Sequence, residues 1–384
     1  MPAPCCAGHA AAAEEGGLVA APTSGREAIG AFQMKFLGMV QNSVAIAAAG
    51  VADRTGLFRV MAEANGPLTI EEISVRGKYH PRYVREICGA LVCFEFLQHD
   101  SSKNTFVLPE AQAKCLTDPT FALSVAGWLQ MIPALYQGIE GVSKAMQTPG
   151  STTGVPFSDF VKWGFAEGMA RLNDPGIQAA YVRKWLPQFP GAVEKLTEGV
   201  HVADLGCGRG GLTITLASAF PKSTFVGVDL DQDSIAKATA TLQHTSLTNV
   251  TFTCKDLGEL PPGSADLVVN HDCIHDLKDP IGALRAVRRA LRPGGAFLSM
   301  EPMVADSLEE NTSPGAGLSY GISLLHCMTV SLAQGGMGLG AGSFGPKTYE
   351  GIAREAGFTE FQKVGSNMVN HFYELKGNTG AAAM

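Results

Sequence analysis

The carboxy-terminal half of the chain alternates short apolar runs with segments of helical character, beginning at residue 201. The first repeat, HVADLGCGRGGLTITLASAF (residues 201–220), is an apolar run, a glycine-rich loop and a helix-forming segment. The same order recurs in STFVGVDL with DSIAKATATLQHT, and in ADLVVNHDCI with PIGALRAVRRAL. Strands that alternate with helices predict a doubly wound, largely parallel α/β sheet, whose ligands bind beyond the carboxyl ends of the strands.

The glycine loop after the first strand narrows the choice of ligand. Gly206, Gly208 and Gly211 satisfy the G-x-G-x-x-G pattern, and Asp229 ends the second strand, where a carboxylate can bind ribose hydroxyls. This pattern alone fits NAD, FAD or S-adenosylmethionine (SAM), since each carries an adenosine. Asp204 discriminates between them, because a carboxylate at the loop repels a pyrophosphate and attracts the ammonium group of SAM. We therefore expect SAM as the cofactor.

Four motifs, VADLGCGRG, VGVDL, CKDL and LRPGGAF, stand in the order and at the spacing of the class I SAM-dependent methyltransferases, which the chain resembles. The resemblance implies a Rossmann-like, seven-stranded sheet in a SAM-binding domain over residues 196–376. We expect eight residues to contact the cofactor: Asp204, Gly206, Gly208, Asp229, Leu230, Asp256, Leu257 and Asn270. By the resemblance, Asp229 binds the ribose, Asp256 with Leu257 holds the adenine, and the residues of the first motif surround the methionine portion.

The sequence pattern of residues 31–120 predicts a mostly helical winged-helix domain. Residues 36–63 are apolar on almost every turn, which indicates a helix or helix pair buried on more than one side. Thr69 and Glu72 stand at capping-box spacing before the next helix, and a further helix and a polar turn between short strands follow. Residues 51 to 110 include eight acidic and seven basic residues. This balance argues against DNA binding and favours a role in dimerisation.

A winged helix before such a catalytic domain is similar to the dimeric small-molecule O-methyltransferases of plants and to the hydroxyindole O-methyltransferases. HCMTVSLAQGGMGLG, residues 326–340, more specifically resembles a bacterial branch of winged-helix methyltransferases. The resemblance implies a homodimer that methylates a small molecule. Residues 121–195 are expected to form a helical linker whose aromatic side chains, Trp163 among them, line the substrate pocket.

The stretch CIHDLKDP follows a predicted strand on the ligand side of the sheet, and it supplies a candidate base in His275. His275 and Asp276 match the H-D pair of the plant O-methyltransferases, and Glu301 falls where those enzymes carry an acid beside the histidine. We expect the two carboxylates to orient His275 or to stabilise its charged form. His326 lies in an apolar run and is predicted either as a substrate contact or as a core residue.

The acceptor atom stays open. A hydroxyl or thiol acceptor needs a base, whereas a thioether attacks as the neutral sulfur and gives a sulfonium product. Leu277 stands where the plant enzymes carry a tryptophan, so a phenolic acceptor does not follow. A SAM-sensing winged-helix regulator and an NAD-dependent oxidoreductase are the alternatives from other classes. The near-neutral winged domain argues against the first and Asp204 against the second.

Composition excludes several further classes. A net charge of -7 argues against binding to nucleic acid. Nine cysteines without a C-x-x-C pair indicate reduced thiols in the cytoplasm, and no histidine and carboxylate cluster beyond the expected base suggests a metal. No uninterrupted apolar run is long enough to predict a membrane-spanning helix. Residues 1–30 are expected to be a disordered extension, with a transit peptide as the alternative, and residues 377–384 a tail.

Overall fold

The computed structural model describes residues 25–148 and 153–377, apart from the side chain of Leu257. The first part of the chain is helical and carries one hairpin. Its elements are α1 (Gly25–Thr55), α2 (Leu57–Ala64), α3 (Ile70–Gly77), α4 (Pro81–Cys93), β1 (Gln98–Asp100), β2 (Thr105–Val107) and α5 (Glu110–Thr117). The predicted extension falls mostly, and the predicted tail almost entirely, outside the described residues.

Further helices connect this part to the sheet. They are α6 (Trp128–Gln137), α7 (Ile139–Met146), α8 (Phe157–Lys162), α9 (Phe165–Ala180) and α10 (Ala192–Glu198). The remaining elements are β3 (His201–Leu205), α11 (Gly211–Ala219), β4 (Thr224–Asp229), α12 (Gln232–Gln243), β5 (Val250–Cys254), β6 (Ala265–His271), α13 (Pro280–Ala290), β7 (Leu291–Pro302), α14 (Pro314–Ile322), α15 (Met328–Ala333), α16 (Pro346–Glu355), β8 (Glu360–Ser366) and β9 (Asn370–Lys376).

Local sequence explains the winged-helix elements. The hydroxyl of Thr69 accepts a hydrogen bond from the backbone N–H of Glu72 at 3.2 Å, and the Glu72 carboxylate accepts one from the backbone of Thr69 at 2.8 Å. This reciprocal pair is the predicted capping box, and it starts α3. Strands β1 and β2 pair antiparallel, with Gln98 opposite Val107. The predicted winged-helix fold is confirmed.

Helix α1 belongs to two compact units, which divide between Val44 and Ala45. Before the division its large apolar side chains are exposed: Ile29, Phe32, Met34, Phe36, Leu37, Met39, Val40 and Val44. After it, Ala45, Ala49 and Ala52 are buried. Within one copy of the chain, burial of α1 therefore begins at Ala45. Apolar residues recur on both sides of the division, so periodicity alone could not separate the part that packs.

The sheet has seven strands in the order β5-β4-β3-β6-β7-β9-β8. The five strands from β5 to β7 pair in parallel, and β9 pairs antiparallel with both β7 and β8. Buried runs in β3 and β6 are nearly continuous, as is typical of strands covered by helices on both faces. The predicted doubly wound sheet is confirmed. Because β3, β4 and β6 are neighbours and parallel, the residues that follow them meet at one edge.

Two helical stretches are long and apolar enough to cross a membrane by length and composition: Gly25–Thr55 and Pro314–Ala333. The second lies between β7 and β8, within the part of the chain that forms the sheet. One or two such helices are weak evidence of a membrane span, because core helices and signal sequences pass the same test.

Candidate active site

A cavity of about 550 Å³ lies at the carboxyl edge of β3, β4 and β6. One part of its wall is the loop after β3 together with the end of β4, and another part comes from α9 and from the segment that joins α14 to α15. Six of the predicted cofactor residues line it: Asp204, Gly206, Gly208, Asp229, Leu230 and Asp256. The structure therefore brings together residues that lie up to 52 positions apart in the sequence.

The loop after β3 turns at its glycines. Gly206 and Gly208 have φ values of 63° and 52°, which residues with a side chain rarely adopt. A Cβ atom added to Gly206 would collide with Cys273 Sγ, whereas one added to Gly208 would meet no atom within 4 Å. Gly206 is therefore required for packing, and Gly208 leaves open space beside the cavity. Gly211 begins α11 and packs closely on the Asp174 side chain.

Asp229 is held rigidly at the end of β4. Its Oδ2 accepts a hydrogen bond from the backbone N–H of Gly208 at 2.8 Å, and its Oδ1 accepts one from Asp231 at 2.8 Å. Burial raises the pKa of Asp229 above its usual value, although these backbone hydrogen bonds oppose the shift. Each carboxylate oxygen keeps a second lone pair, so both can still accept hydrogen bonds from ribose hydroxyls.

Asp204 and Asp256 occupy different environments on the cavity wall. Asp204 is 2% exposed, and burial raises its pKa to about 7, although Thr213 Oγ1 donates a 2.6 Å hydrogen bond to its Oδ2. Asp256 is partly exposed and lies 3.9 Å from Lys278 Nζ. Leu230 is 53% exposed at the same wall, and the Leu257 side chain lies outside the described residues.

Glu301, near the end of β7, is fully buried and organises the turn after β6. Its Oε1 accepts hydrogen bonds from Asn270 Nδ2 at 2.5 Å and from the backbone N–H of Ile274 at 3.0 Å. Its Oε2 lies 2.6 Å from Nδ1 of His275. Because a ring N–H donates and a carboxylate oxygen accepts, this contact puts a proton of the His275 ring on Nδ1. Asn270 is thus a partner of Glu301, and it does not line the cavity.

His275 is 3% exposed and stands behind the cavity wall, whereas Asp276 lines the cavity. His275 Nε2 lies 3.0 Å from Asp276 Oδ1. Although burial lowers the pKa of His275, the adjacent carboxylates of Asp276 and Glu301 raise it well above its usual value. For Asp276 the two effects have the opposite signs: burial raises its pKa, but the neighbouring His275 lowers it further and brings it to about 2. The histidine and aspartate therefore act as one ion pair whose aspartate faces the ligand space.

His326 also lines the cavity, in an aromatic setting. Its ring stacks on Phe165 with centroids 4.0 Å apart and meets the edge of Phe160 at 4.7 Å. Burial lowers the pKa of His326 to about 4, and its Nε2 is buried without a hydrogen-bond partner among the described residues. Trp163 packs on Phe160 and does not line the cavity. Of the two predicted substrate contacts, the structure therefore places one at the ligand space.

Sequence reasoning missed Asp174 and Asp272. Asp174, on α9, lines the cavity beside Gly211, and burial raises its pKa to about 6. Asp272 follows β6 with a φ of 53°, and its Oδ1 accepts a 2.6 Å hydrogen bond from Asn370 Nδ2. An acid within an otherwise aromatic segment was the available signal for Asp174, but its contact with the glycine loop depends on how α9 packs against α11.

The glycine-rich segment 333–345 packs back on the turn that carries His275. The backbone N–H of Met337 donates to the Lys278 carbonyl at 3.0 Å, and that of Gly340 donates to the His275 carbonyl at 3.1 Å. Gln334 reaches the cavity wall. The segment therefore supports the turn at several backbone positions.

Two family models match parts of the chain. Residues 196–333 match a family model described as a methyltransferase domain, and residues 43–118 match one described as an Rv2258c-like winged HTH domain. The trans-aconitate 2-methyltransferase of Deinococcus radiodurans is 38% identical over 102 residues, which are 27% of this chain and 38% of that protein. The chain thus matches less than two fifths of the length of this curated relative.

Two solved structures have a similar fold over nearly the whole of this chain. Human N-acetylserotonin methyltransferase, solved with SAM, has a TM-score of 0.64 at 19% identity, covering 90% of this chain and 98% of that one. Mitomycin 7-O-methyltransferase has a TM-score of 0.70 at 18% identity, covering 92% and 100%. At these identities the likeness shows the fold, while the motifs and the family models identify the cofactor as SAM. The chain therefore carries a methyltransferase domain over residues 196–333 and an amino-terminal winged-helix domain of the Rv2258c-like type over residues 43–118.

Proposed function

We propose that this protein transfers the methyl group of SAM to an oxygen or sulfur atom of a small-molecule acceptor. One observation carries the proposal: a single cavity is lined in one part by the glycine loop and Asp229 and in another part by apolar side chains and His326. A cofactor at the first part and an acceptor at the second would share one cavity. The substrates that the names of the two solved relatives record, N-acetylserotonin and mitomycin, are small molecules, which supports this class of acceptor.

When bound, SAM supplies an electrophilic methyl group on a sulfonium sulfur. Asp229 would accept hydrogen bonds from the ribose hydroxyls, and Asp256 would accept one from the exocyclic amine of adenine. Asp204 and Asp174 lie beside the glycine loop, where the ammonium group of the methionine portion would favour their ionised forms. The open space beside Gly208 fits a cofactor that approaches the backbone closely.

The acceptor lies on the side of Phe157, Phe165 and Val330, with His326 as its polar contact. For a hydroxyl or thiol acceptor, His275 is the expected base in the form that has lost its Nε2 proton, and it works together with Asp276, the member of the pair on the cavity wall. Glu301 is a positioning residue, because it holds the other ring nitrogen and reaches the cavity only through His275. Orientation of the acceptor against the methyl group supplies much of the rate enhancement.

Two alternatives remain distinct. A thioether acceptor would need no base, so His275 variants would keep activity and the product would be a sulfonium. A SAM-sensing regulator would bind SAM without turnover and bind duplex DNA with an affinity that falls steeply with salt. The balance of charges in the winged domain favours the enzyme over the regulator.

We also propose that the chain works as a homodimer in the cytoplasm. The exposed apolar side chains of α1, among them Phe32 and Phe36, offer a surface for a second copy. The described cysteines are free, as is usual in a reducing compartment. Light scattering of wild type and of a Phe32→Glu, Phe36→Glu variant tests the assembly; a dimer that persists in the variant contradicts this interface.

The direct test of the proposed function offers SAM with hydroxyl, thiol and thioether acceptors and detects S-adenosylhomocysteine. We expect turnover with one of the first two classes. Asp229→Asn should weaken S-adenosylhomocysteine binding by about tenfold or more, because it removes the charge from two hydrogen bonds. Asp233→Asn, an exposed partner of Lys237 on the following helix, is the matched control and should bind normally.

A further inference from the structure

A second cavity adjoins the first one at the glycine loop. Its volume is about 650 Å³, and its wall comes from residues between 116 and 126, from α9 and from α12. Four residues line both cavities: Ala170, Asp174, Arg209 and Gly211. They therefore form part of the partition between the two spaces. Arg209 is the cation among these four residues, and the functions proposed above for the cavity residues do not use it.

The guanidinium group of Arg209 has a donor without a partner. Its side chain is 19% exposed, and its Nε is buried with no hydrogen bond to any described residue. Its ion pair is with Glu167 on α9, where Nη2 and Oε2 are 3.7 Å apart, too far for a hydrogen bond. Glu167 is 48% exposed, so water competes for its carboxylate. A buried guanidinium with so few contacts is costly, and an anion beside it would compensate that cost.

Two Lys or Arg side chains of the described part of the chain line the first cavity, Arg209 and Lys278. Lys278 Nζ lies 3.9 Å from Oδ2 of Asp256, the residue proposed to hold the adenine. Arg209 directly follows Gly208, in the loop proposed to surround the methionine portion. Helix α11 begins two residues after Arg209, and the N-terminal end of a helix also favours an anion. Arg209 is therefore the cation that lies where the carboxylate of SAM is expected.

Asp174 supplies the opposite charge close to Arg209. Burial raises the pKa of Asp174 to about 6, although His271 and Arg209 lie near enough to oppose the shift. The amino-acid portion of SAM carries an ammonium and a carboxylate on one carbon atom. A carboxylate and a guanidinium that lie close together on the protein can therefore bind both groups. Since Asp174 is proposed to lie beside the ammonium, the carboxylate of the cofactor lies next to Arg209.

We propose that Arg209 binds the carboxylate of the methionine portion and thereby selects a cofactor with a complete amino-acid portion. The inference rests on the position that the proposed function gives to SAM. Contacts between arginine and a carboxylate are charge-assisted and frequently bidentate, which makes them sensitive to the loss of either partner. Arg209 is thus a binding residue that determines cofactor specificity, and it takes no part in the transfer of the methyl group.

Three ligands of one series separate the two charges of the amino-acid portion. S-adenosylhomocysteine carries both charges, its decarboxylated analogue keeps the ammonium, and its deaminated analogue keeps the carboxylate. Calorimetry with the full-length wild type should show about 10–100-fold weaker binding of the decarboxylated analogue than of S-adenosylhomocysteine, the value of hydrogen bonds to a charged group. Arg209→Met should lose about the same factor with S-adenosylhomocysteine and with the deaminated analogue. It should bind the decarboxylated analogue as tightly as wild type does.

Glu167→Gln is the matched control, because it removes the ion pair of Arg209 and leaves the guanidinium in place. We expect it to bind all three ligands at least as tightly as wild type. The melting temperature of each variant shows whether it is folded. The comparison of ligands on wild type needs no variant, so the inference can be tested even where Arg209→Met does not fold.

Three results overturn the inference. The first is equal affinity of wild type for S-adenosylhomocysteine and its decarboxylated analogue. The second is an equal loss for all three ligands in Arg209→Met, which would mean that Arg209 shapes the loop. The third is the same loss in Glu167→Gln, which would assign the effect to the ion pair.

Failure of the proposed function gives a different pattern. A wild-type protein that does not bind S-adenosylhomocysteine contradicts the proposed function together with the inference drawn from it. A protein that binds the three ligands as predicted but transfers no methyl group contradicts the proposed function alone, because the contact between Arg209 and the carboxylate is measured without turnover.

Discussion

His275 donates a 2.6 Å hydrogen bond from Nδ1 to Oε2 of Glu301, a fully buried carboxylate 26 residues farther along the chain. The contact joins the turn after β6 to the neighbouring strand β7. It decides which ring nitrogen points toward Asp276 and so toward the cavity wall. The chemistry proposed for His275 as a base depends on this orientation.

Glu301→Gln should lower turnover by roughly 100-fold, within the range that proton transfer groups contribute. Glutamate accepts these hydrogen bonds with two oxygens, whereas glutamine has a single acceptor oxygen and an NH₂ group. It therefore cannot accept from Asn270, Ile274 and His275 together, and the His275 ring loses its fixed orientation. S-adenosylhomocysteine affinity should change little, because Glu301 does not line the cavity. Steady-state kinetics and calorimetry measure the two quantities. Glu374→Gln, at a buried glutamate on β9, is the control, and equal turnover in both variants contradicts the positioning role.

His326→Phe should leave the fold intact or stabilise it by up to about 2 kcal/mol, because it removes a buried nitrogen without a hydrogen bond while keeping the stacking on Phe165. The same change should raise the KM for the acceptor, since the acceptor loses its polar contact. Thermal melting and kinetics read the two effects separately. An unchanged KM would contradict the substrate contact and would support the alternative, that His326 is a core residue.

Asp174→Asn should weaken S-adenosylhomocysteine binding by about tenfold, the value of one charge-assisted hydrogen bond. It should leave binding of 5′-methylthioadenosine unchanged, because that nucleoside lacks the amino-acid portion. Calorimetry with both ligands makes the comparison, and Asp159→Asn, an exposed partner of Lys162, is the control. An equal loss for both ligands would mean that Asp174 shapes the loop and does not bind the ammonium group.

Asp204 should make the stability of the cofactor-free protein depend on pH. Its folded-state pKa is raised from 3.8 to about 7, so its contribution to stability is fully present below pH 3.8 and is lost as the pH rises through about 7. Asp204→Asn lacks this loss. Between pH 4 and 8, the free energy of unfolding of the variant should therefore rise relative to that of wild type by on the order of a few kcal/mol. The difference between the two melting temperatures should grow over the same pH range. Parallel curves for the two proteins would contradict the shift.

The sequence predicted best where a local pattern decides the structure. The order of strands and helices, the capping box of Thr69 and Glu72, and the glycine loop all follow from residue types at fixed spacing. The position of Asp229 follows from the end of one strand. These features need no knowledge of how distant segments pack, and the resemblance to a family supplied the rest of the cofactor wall.

Features that depend on packing could not be predicted. The spacing of His275 and Asp276 does not show which of them faces the ligand, because burial of the imidazole depends on Glu301 in another strand. The π-turn of residues 323–327, which the sequence does not indicate, places Cys327 within 4.8 Å of His275. The same holds for Asp174, whose helix packs beside the glycine loop. Each contact joins segments that are far apart along the chain. Local sequence patterns do not show which distant segments lie close together.

The most direct test of the account is transfer of a labelled methyl group from SAM into a metabolite extract, with wild type and His275→Ala run in parallel and the product identified by mass. We predict a labelled small molecule, methylated on oxygen or sulfur, that wild type forms and His275→Ala does not, while both bind S-adenosylhomocysteine. A wild-type protein that binds S-adenosylhomocysteine but labels nothing would contradict the proposed activity, and equal labelling by both proteins would contradict the role of His275.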